Sequence, residues 1–179
     1  VANGAQVIDV SGKTILPGLI DAHCHFDFPE FDGRRKAVLE DARSVGLSHL
    51  VIPGVRRPDW SRVSRITSEY DGLYYCLGIH PWYVAEHTAD DLYALQGLLE
   101  DRPGHCVALG ECGLDRLHGD MKEQYAWFEG QVDIAALLHL PLVIHSVKTH
   151  DEVYEVLRRK RFSGRVLLVR PSHRSCFLL

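Results

Sequence analysis

Long apolar runs are missing from this chain: no stretch of its 179 residues approaches the ~20 consecutive apolar positions that a bilayer-crossing helix needs. No membrane span is therefore expected. Residues 1–6 carry no basic cluster followed by an apolar segment, so no secretory signal is expected either. Basic residues are not in excess, with 20 Lys plus Arg against 24 Asp plus Glu and a formal net charge of −4. That balance gives no support to binding nucleic acid over the whole surface, although a local groove or a bound metal could still attract phosphates. Paired CxxC cysteines are absent. Cys24, Cys76, Cys106, Cys112 and Cys176 are odd in number and, without a secretory signal, read as reduced thiols of a cytoplasmic protein. A GxSxG elbow and a locally supported Cys–His pair are missing too, which leaves nucleophilic side-chain catalysis little to stand on. No Ser- or Pro-rich linker divides the chain. It opens on Val1 rather than Met and is expected to be processed or a fragment.

What is present is an alternation of short apolar runs with stretches of helical period. The strands are expected at Thr14–His25, Ser48–Pro53, Leu73–His80, Cys106–Glu111 and Leu142–His145, with a sixth beginning over Arg165–Val169. Between them, apolar residues recur at helical spacing: Val38, Ala42 and Val45; Trp60, Val63, Thr67 and Tyr70; Leu92, Leu95 and Leu99; Tyr125, Phe128 and Val132; Val153, Val156 and Leu157. Nearly continuous apolar strands alternating with helices predict βαβ units on a parallel sheet, hence one α/β domain. Val7–Ile15, broken at Ser11-Gly12, reads as an extended piece that could pair as a small ribbon outside that sheet. Ser11-Gly12-Lys13-Thr14 ends like a phosphate-binding loop, but Val7 stands where that loop needs its first glycine.

The polar residues fall in a pattern that core packing does not explain. His23 and His25 are two apart at the end of the first expected strand, so both rings should project to one face, away from Cys24. His80, Glu111 and His145 each end an apolar run at its carboxyl end. Parallel strands present their carboxyl ends on one side of the sheet, where α/β active sites lie. Imidazoles and a carboxylate converging there suit divalent transition ions. Such ions lower the pKa of a bound water and polarise a scissile phosphoryl or carbonyl group, and one Glu with two oxygens can bridge two ions ~3.5–4 Å apart. Asp115, four residues after Glu111, could orient a ligand from behind or steady the loop. The other histidines read as solvated or hydrogen-bonded: His49 and His105 begin strands on the opposite rim, and His87, His118, His139 and His150 lie in loops or helices. Arg34-Arg35-Lys36 and Arg158-Arg159-Lys160-Arg161 read as solvated faces.

At these residues the chain resembles the TatD-related metal-dependent hydrolases. Ile20-Asp21-Ala22-His23-Cys24-His25-Phe26-Asp27 is similar to that family's opening block, and Gly78-Ile79-His80-Pro81, Gly110-Glu111-Cys112-Gly113-Leu114-Asp115 and Leu140-Pro141-Leu142-Val143-Ile144-His145-Ser146 resemble the blocks that follow, in order, across about Leu19 to Arg161. The resemblance implies a fold like the (β/α)8 amidohydrolase barrels and a phosphodiesterase activity, typically that of a deoxyribonuclease. It implies His23, His25, Glu111 and His145 as metal ligands, with Glu111 bridging and catalytic, His80 near the substrate phosphate, and one or two divalent ions (Mg, Mn or Zn) as cofactor. DNA or another phosphodiester is the implied substrate.

Two departures follow. The approach over Val7–Gly18 looks more like that of broader amidohydrolases, which keeps a cyclic-amide substrate open. Leu168 stands about where the family carries a histidine on its sixth strand, and the tail from Arg170 to Leu179 resembles none of the family. The expected organisation is an extended leader over 1–18, a partial (β/α) barrel over 19–169 with about five βα units plus a sixth strand, and a divergent tail over 170–179. A closed barrel of this type takes eight strands and ~250 residues. An incomplete one should expose a parallel edge, favour self-association through it and hydrolyse poorly. An inactive fragment that acts as a binding partner is the non-enzymatic alternative.

Overall fold

The computed structural model describes residues 9–12, 18–101 and 103–169. Among them, six strands alternate with five α-helices: β1 (Leu19–Asp21), α1 (Arg35–Ser44), β2 (Leu47–Gly54), α2 (Arg57–Glu69), β3 (Leu73–Leu77), α3 (Ala89–Glu100), β4 (Cys106–Asp115), α4 (Met121–Leu138), β5 (Leu142–Val147), α5 (His150–Arg159) and β6 (Val166–Val169). The strands pair in parallel and in sequence order, β1-β2-β3-β4-β5-β6. The alternating pattern produces this α/β half-barrel because the apolar runs of the inner strands β2–β5 are largely buried and the helices carry apolar stripes. From Ala108 to Asp115 every residue of β4 is buried.

Strand alternation separates the two faces of the sheet. Tyr75, Leu77, Leu109, Leu142 and Ile144 join the large core under the helices, together with Trp60, Val63, Leu95, Leu99, Phe128, Val132, Val153 and Val156. Cys76, Ala108 and Val143, each next in sequence to one of those strand residues, form a smaller apolar cluster on the opposite, inner face. Most expected helical stripes are buried as read. On α1, however, Leu39 is the buried residue and Val45 is 75% exposed, because the helix ends at Ser44 and Val45 turns away with Gly46.

Two helix starts, those of α3 and α4, are fixed by side chains. Asp120 accepts from Glu123 N at 3.0 Å at the start of α4. Thr88 and Asp91 form a reciprocal capping box on α3, Asp91 Oδ2 accepting from Thr88 N at 3.0 Å.

Several strand limits differ from the sequence expectation. β1 holds Leu19–Asp21 and residues 22–25 leave the sheet, while residues 14–17 of the expected Thr14–His25 strand lie outside the described residues. β3 stops at Leu77, three residues before His80; β4 and β5 run past Glu111 and His145. The break at Ser11-Gly12 is a turn in which Ser11 N donates to Asp9 Oδ1 at 2.9 Å. The rest of the leader before residue 18, and the tail 170–179, lie outside the described residues.

Candidate metal centre

The site opens on the inner side of the sheet, in a cleft of ≈ 540 Å³ lined by the five expected residues and by Phe28, Trp82, Tyr83, Leu167, Leu168 and Val169 among others. Glu111 is its centre, and a strand irregularity puts it there. Gly110 pairs with Val143 and Cys112 with Ile144, so Glu111 is the extra residue of β4 between adjacent pairs on β5. Such a bulge reverses the alternation. Leu109 and Cys112 both face the helices, and Glu111 is turned to the inner face with His145. It does not close its strand, as the sequence suggested, but interrupts it.

Glu111 is 2% exposed. Its Oε2 lies 3.2 Å from His23 Nε2, and its Oε1 lies 3.0 Å from His145 Nδ1 and 3.7 Å from His80 Nε2. Burial alone would raise the carboxyl's pKa, but hydrogen bonds from His145 and His23 and the nearby imidazoles hold it well below the usual range. Two donor groups thus share one carboxylate. His23, His25 and Glu111 each offer an atom within 4.8 Å of the others, and so do His80, Glu111 and His145.

His23 and His25 are held by loop contacts rather than by a strand. Cys24 N donates to Val51 O at 3.0 Å and His23 N to Asp21 Oδ1 at 3.0 Å. The two rings meet edge-on, with centroids 5.2 Å apart and planes at 88°; the expected same-face strand geometry gives way to convergence from a turn. Burial and the neighbouring His23 lower the pKa of His25.

His80 begins the 3₁₀ turn Pro81–Glu86, where its Nδ1 accepts from Trp82 N at 3.2 Å. Burial pushes its pKa down to about 3. His145 spans two carboxylates: Nδ1 faces Glu111, and Nε2 lies 2.9 Å from Asp115 Oδ2. Burial would lower its pKa, but Glu111 and Asp115 together raise it.

The donor set fits a cation. The Nδ1 atoms of His23 and His25 are buried with no hydrogen-bond partner among the described residues. Around His145 the contacts compete. With Nδ1 of His80 accepting, its ring proton sits on Nε2, which lies 2.9 Å from His145 Nδ1. His145 Nδ1 would have to be bare to accept that proton and protonated to donate to Glu111. One nitrogen cannot do both; a cation among these lone pairs removes the conflict.

Several contributors carried little sequence signal. Arg35, expected on a solvated face, points inward and donates to Phe26 O, Asp27 O and Phe28 O at 3.0, 3.2 and 3.0 Å. Asp27, 3% exposed, accepts from Arg62 at 2.6 Å. Gln131 on α4 accepts from Ile79 N at 2.8 Å and donates to Ile79 O at 3.0 Å, fixing the residue before His80; Gln124 accepts from Asp115 N at 2.7 Å. Glutamines seven apart on the apolar stripe of α4 were the available clue. His118, read as solvated, packs on Trp82 with centroids 4.2 Å apart. His49 and His105 flank Tyr74 away from the cleft.

Comparison with known proteins places this geometry. The chain is 38% identical over 142 residues to the uncharacterized metal-dependent hydrolase YjjV of Escherichia coli K12, covering 78% of this chain and 55% of that protein. It is 29% identical over 147 residues to the 3'-5' ssDNA/RNA exonuclease TatD of Klebsiella pneumoniae, covering 78% and 53%. The chain thus spans about half the length of these curated relatives. The crystal structure of E. coli YjjV superposes with a TM-score of 0.76 over 80% of this chain and 56% of that one. The family model described as TatD related DNase matches residues 20–169, a span that holds all six strands but for Leu19 and the whole donor set, so the chain belongs to the TatD-related DNase family.

Proposed function

We propose that this chain carries the metal-binding half of a hydrolase site for nucleic-acid phosphodiesters. The observation that carries the proposal is the division of Glu111 between two histidine groups, Oε2 toward His23 and Oε1 toward His145 and His80. His23, His25, Glu111 and His145 would hold one or two divalent ions (Mg, Mn or Zn), Glu111 being common to both positions. Such ions supply a nucleophilic water near neutral pH and polarise a phosphoryl oxygen.

The chain's own residues do the rest. Asp115 anchors the far nitrogen of His145, which orients the near one. His80, on the cleft wall, would contact a non-bridging phosphate oxygen. Leu167, Leu168 and Val169 line the β6 side without offering a ligand, so turnover should be slower than in a site with a donor there. A DNA or RNA substrate and a cytoplasmic location belong to the same proposal; Cys76, Cys106 and Cys112 are thiols rather than disulfides, and no described helix is long and apolar enough to cross a membrane. Self-association belongs to it as well: Leu19 and Ile20 on β1 and Val166, Leu167 and Leu168 on β6 are exposed on the two outer strands. Sedimentation at rising concentration reads it directly.

The test of the site is a thermal melt with and without Mn²⁺ or Zn²⁺, beside Glu111→Gln. A ligand that binds only the folded state should add ~2.7 kcal/mol at a hundredfold excess over its Kd. The metal-dependent rise should appear in the wild type and vanish in the variant. Metal-dependent hydrolysis that survives Glu111→Gln would refute the role given to Glu111, and cleavage of cyclic amides in place of phosphodiesters would refute the substrate.

A further inference from the structure

We propose that Trp82 is a nucleobase-stacking platform beside the candidate phosphate site, and so a specificity-determining residue for phosphodiesters that carry a base; the inference rests on the phosphodiester reading above and deepens it. Trp82 lines the same cleft as Glu111 and His80 and leaves 49% of its surface exposed. An exposed indole is ordinary on a protein surface. A fixed one beside a candidate phosphate site is not.

Four contacts fix the residue. Its Nε1–H donates to Asp115 Oδ2 at 2.7 Å, and Asp115 is itself 1% exposed. Its backbone N donates to His80 Nδ1 at 3.2 Å. The ring lies on that of His118, centroids 4.2 Å apart and planes at 32°, and meets the ring of His80 edge-on at 5.3 Å and 90°. A ring held in this way loses little conformational entropy when a ligand stacks on it. On the β1 side of the cleft a second ring, Phe28, is 41% exposed and stacks on His25 at 4.8 Å and 24°.

The geometry suits a nucleotide rather than a bare phosphodiester. Glu111, His80 and His145 are buried in the cleft while Trp82 and Phe28 line it half-exposed, so a phosphate held by the donor groups would bring its own base toward an open ring. Every base has a π-face, and stacking needs no particular sequence.

The probe is a fluorescein-labelled thymidine hexamer with phosphorothioate linkages, compared with an abasic hexamer of the same length and charge, with Mn²⁺ present. Wild-type protein should bind the thymidine oligomer roughly 5- to 150-fold more tightly than the abasic one, the range expected for one stacked base. Trp82→Ala should bring the ratio of the two affinities, measured within the variant, close to one, and Trp82→Phe should keep much of the wild-type ratio. Equal affinity of the wild type for both oligomers would overturn the platform and leave the phosphodiester reading standing. A thymidine preference that survives Trp82→Ala would also overturn it. Failure of both oligomers to bind would overturn the phosphodiester reading and the platform together.

Discussion

Asp115 Oδ2 stands 2.9 Å from His145 Nε2, so the imidazole is gripped from behind while its Nδ1 faces Glu111 at 3.0 Å. The two carboxylates come from one strand, four residues apart and on the same face. Asp115 Oδ2 also accepts from Trp82 Nε1, and its Oδ1 accepts from Leu117 N at 2.9 Å. Replacing Asp115 by Asn keeps the size but turns one acceptor into a donor, and an amide cannot accept from His145, Trp82 and Leu117 together. Loss of such an orienting partner typically costs ~10- to 100-fold in metal affinity. Asp115→Asn should therefore weaken Mn²⁺ binding in calorimetric titration by that order while the protein stays folded. Wild-type affinity in the variant would show that His145 needs no support from Asp115.

Arg35 should matter out of proportion to its place on a surface helix. One guanidinium serves three successive carbonyls of the segment that follows His25 and also pairs with Asp32 at 2.6 Å. A lysine ammonium lacks the planar fork that lets one group reach several acceptors. Hydrogen bonds from charged donors contribute ~1.5–3 kcal/mol each, shared here among acceptors that water can partly replace. Arg35→Ala should cost about 2 kcal/mol in urea unfolding, and Arg35→Lys should recover less than half. Amide exchange over residues 23–28 should quicken in both. Unchanged exchange there would mean that the loop is held by Cys24 and Arg62 without Arg35.

These cases show what the sequence could and could not carry. The convergence of His80, Glu111 and His145 is legible because each terminates an apolar run, and parallel strands bring such ends to one side. Exact placement is not legible. Gly110 and Gly113 flank the bulge and read as the end of a strand, since glycine weakens a strand pattern; the strand in fact continues to Asp115 because its neighbour β5 continues too. Arg35 is hidden for another reason. Its partners are backbone carbonyls, which leave no trace in side-chain pattern, and an Arg-Arg-Lys run looks like solvated charge. His118 lies in an exposed loop, and only the folded chain brings its ring onto Trp82.

Asp91 provides a pH-dependent contribution remote from the cleft. It closes the capping box of α3 and pairs with Arg57 at 2.5 Å. Partial burial would raise its pKa, but Arg57, the Thr88 amide and His87 lower it below the ordinary aspartate value. A carboxyl whose folded pKa is depressed stabilises fully above its unfolded pKa and loses that stabilisation as pH falls through the folded value. The difference in unfolding free energy between wild type and Asp91→Ala should be about 1 kcal/mol near neutrality, a typical capping value. It should shrink in acid below the ordinary aspartate range. Added salt should reduce it as well, because Arg57 is half exposed. A difference that stayed constant with pH would assign the effect to side-chain packing instead of charge.

Two glycine substitutions should move stability in opposite directions. At Gly78 a Cβ would lie 2.7 Å from the carbonyl carbon of Gly110 and 2.9 Å from the carbonyl oxygen of Glu111. These are backbone atoms at the bulge that aims Glu111, and they can yield only if β3 and β4 separate. Overpacking of this kind costs ~1–3 kcal/mol, and the displacement falls on the central carboxylate. Gly97, inside α3, would place its Cβ in open space. Alanine there should stabilise by ~0.5–1 kcal/mol, because glycine gives up more backbone freedom in a helix. Urea unfolding of Gly78→Ala and Gly97→Ala measures both, and metal titration separates them further. Gly78→Ala should weaken Mn²⁺ binding while Gly97→Ala leaves it unchanged. Full Mn²⁺ affinity in Gly78→Ala would show that the position of Glu111 does not depend on the close approach of β3 to the bulge.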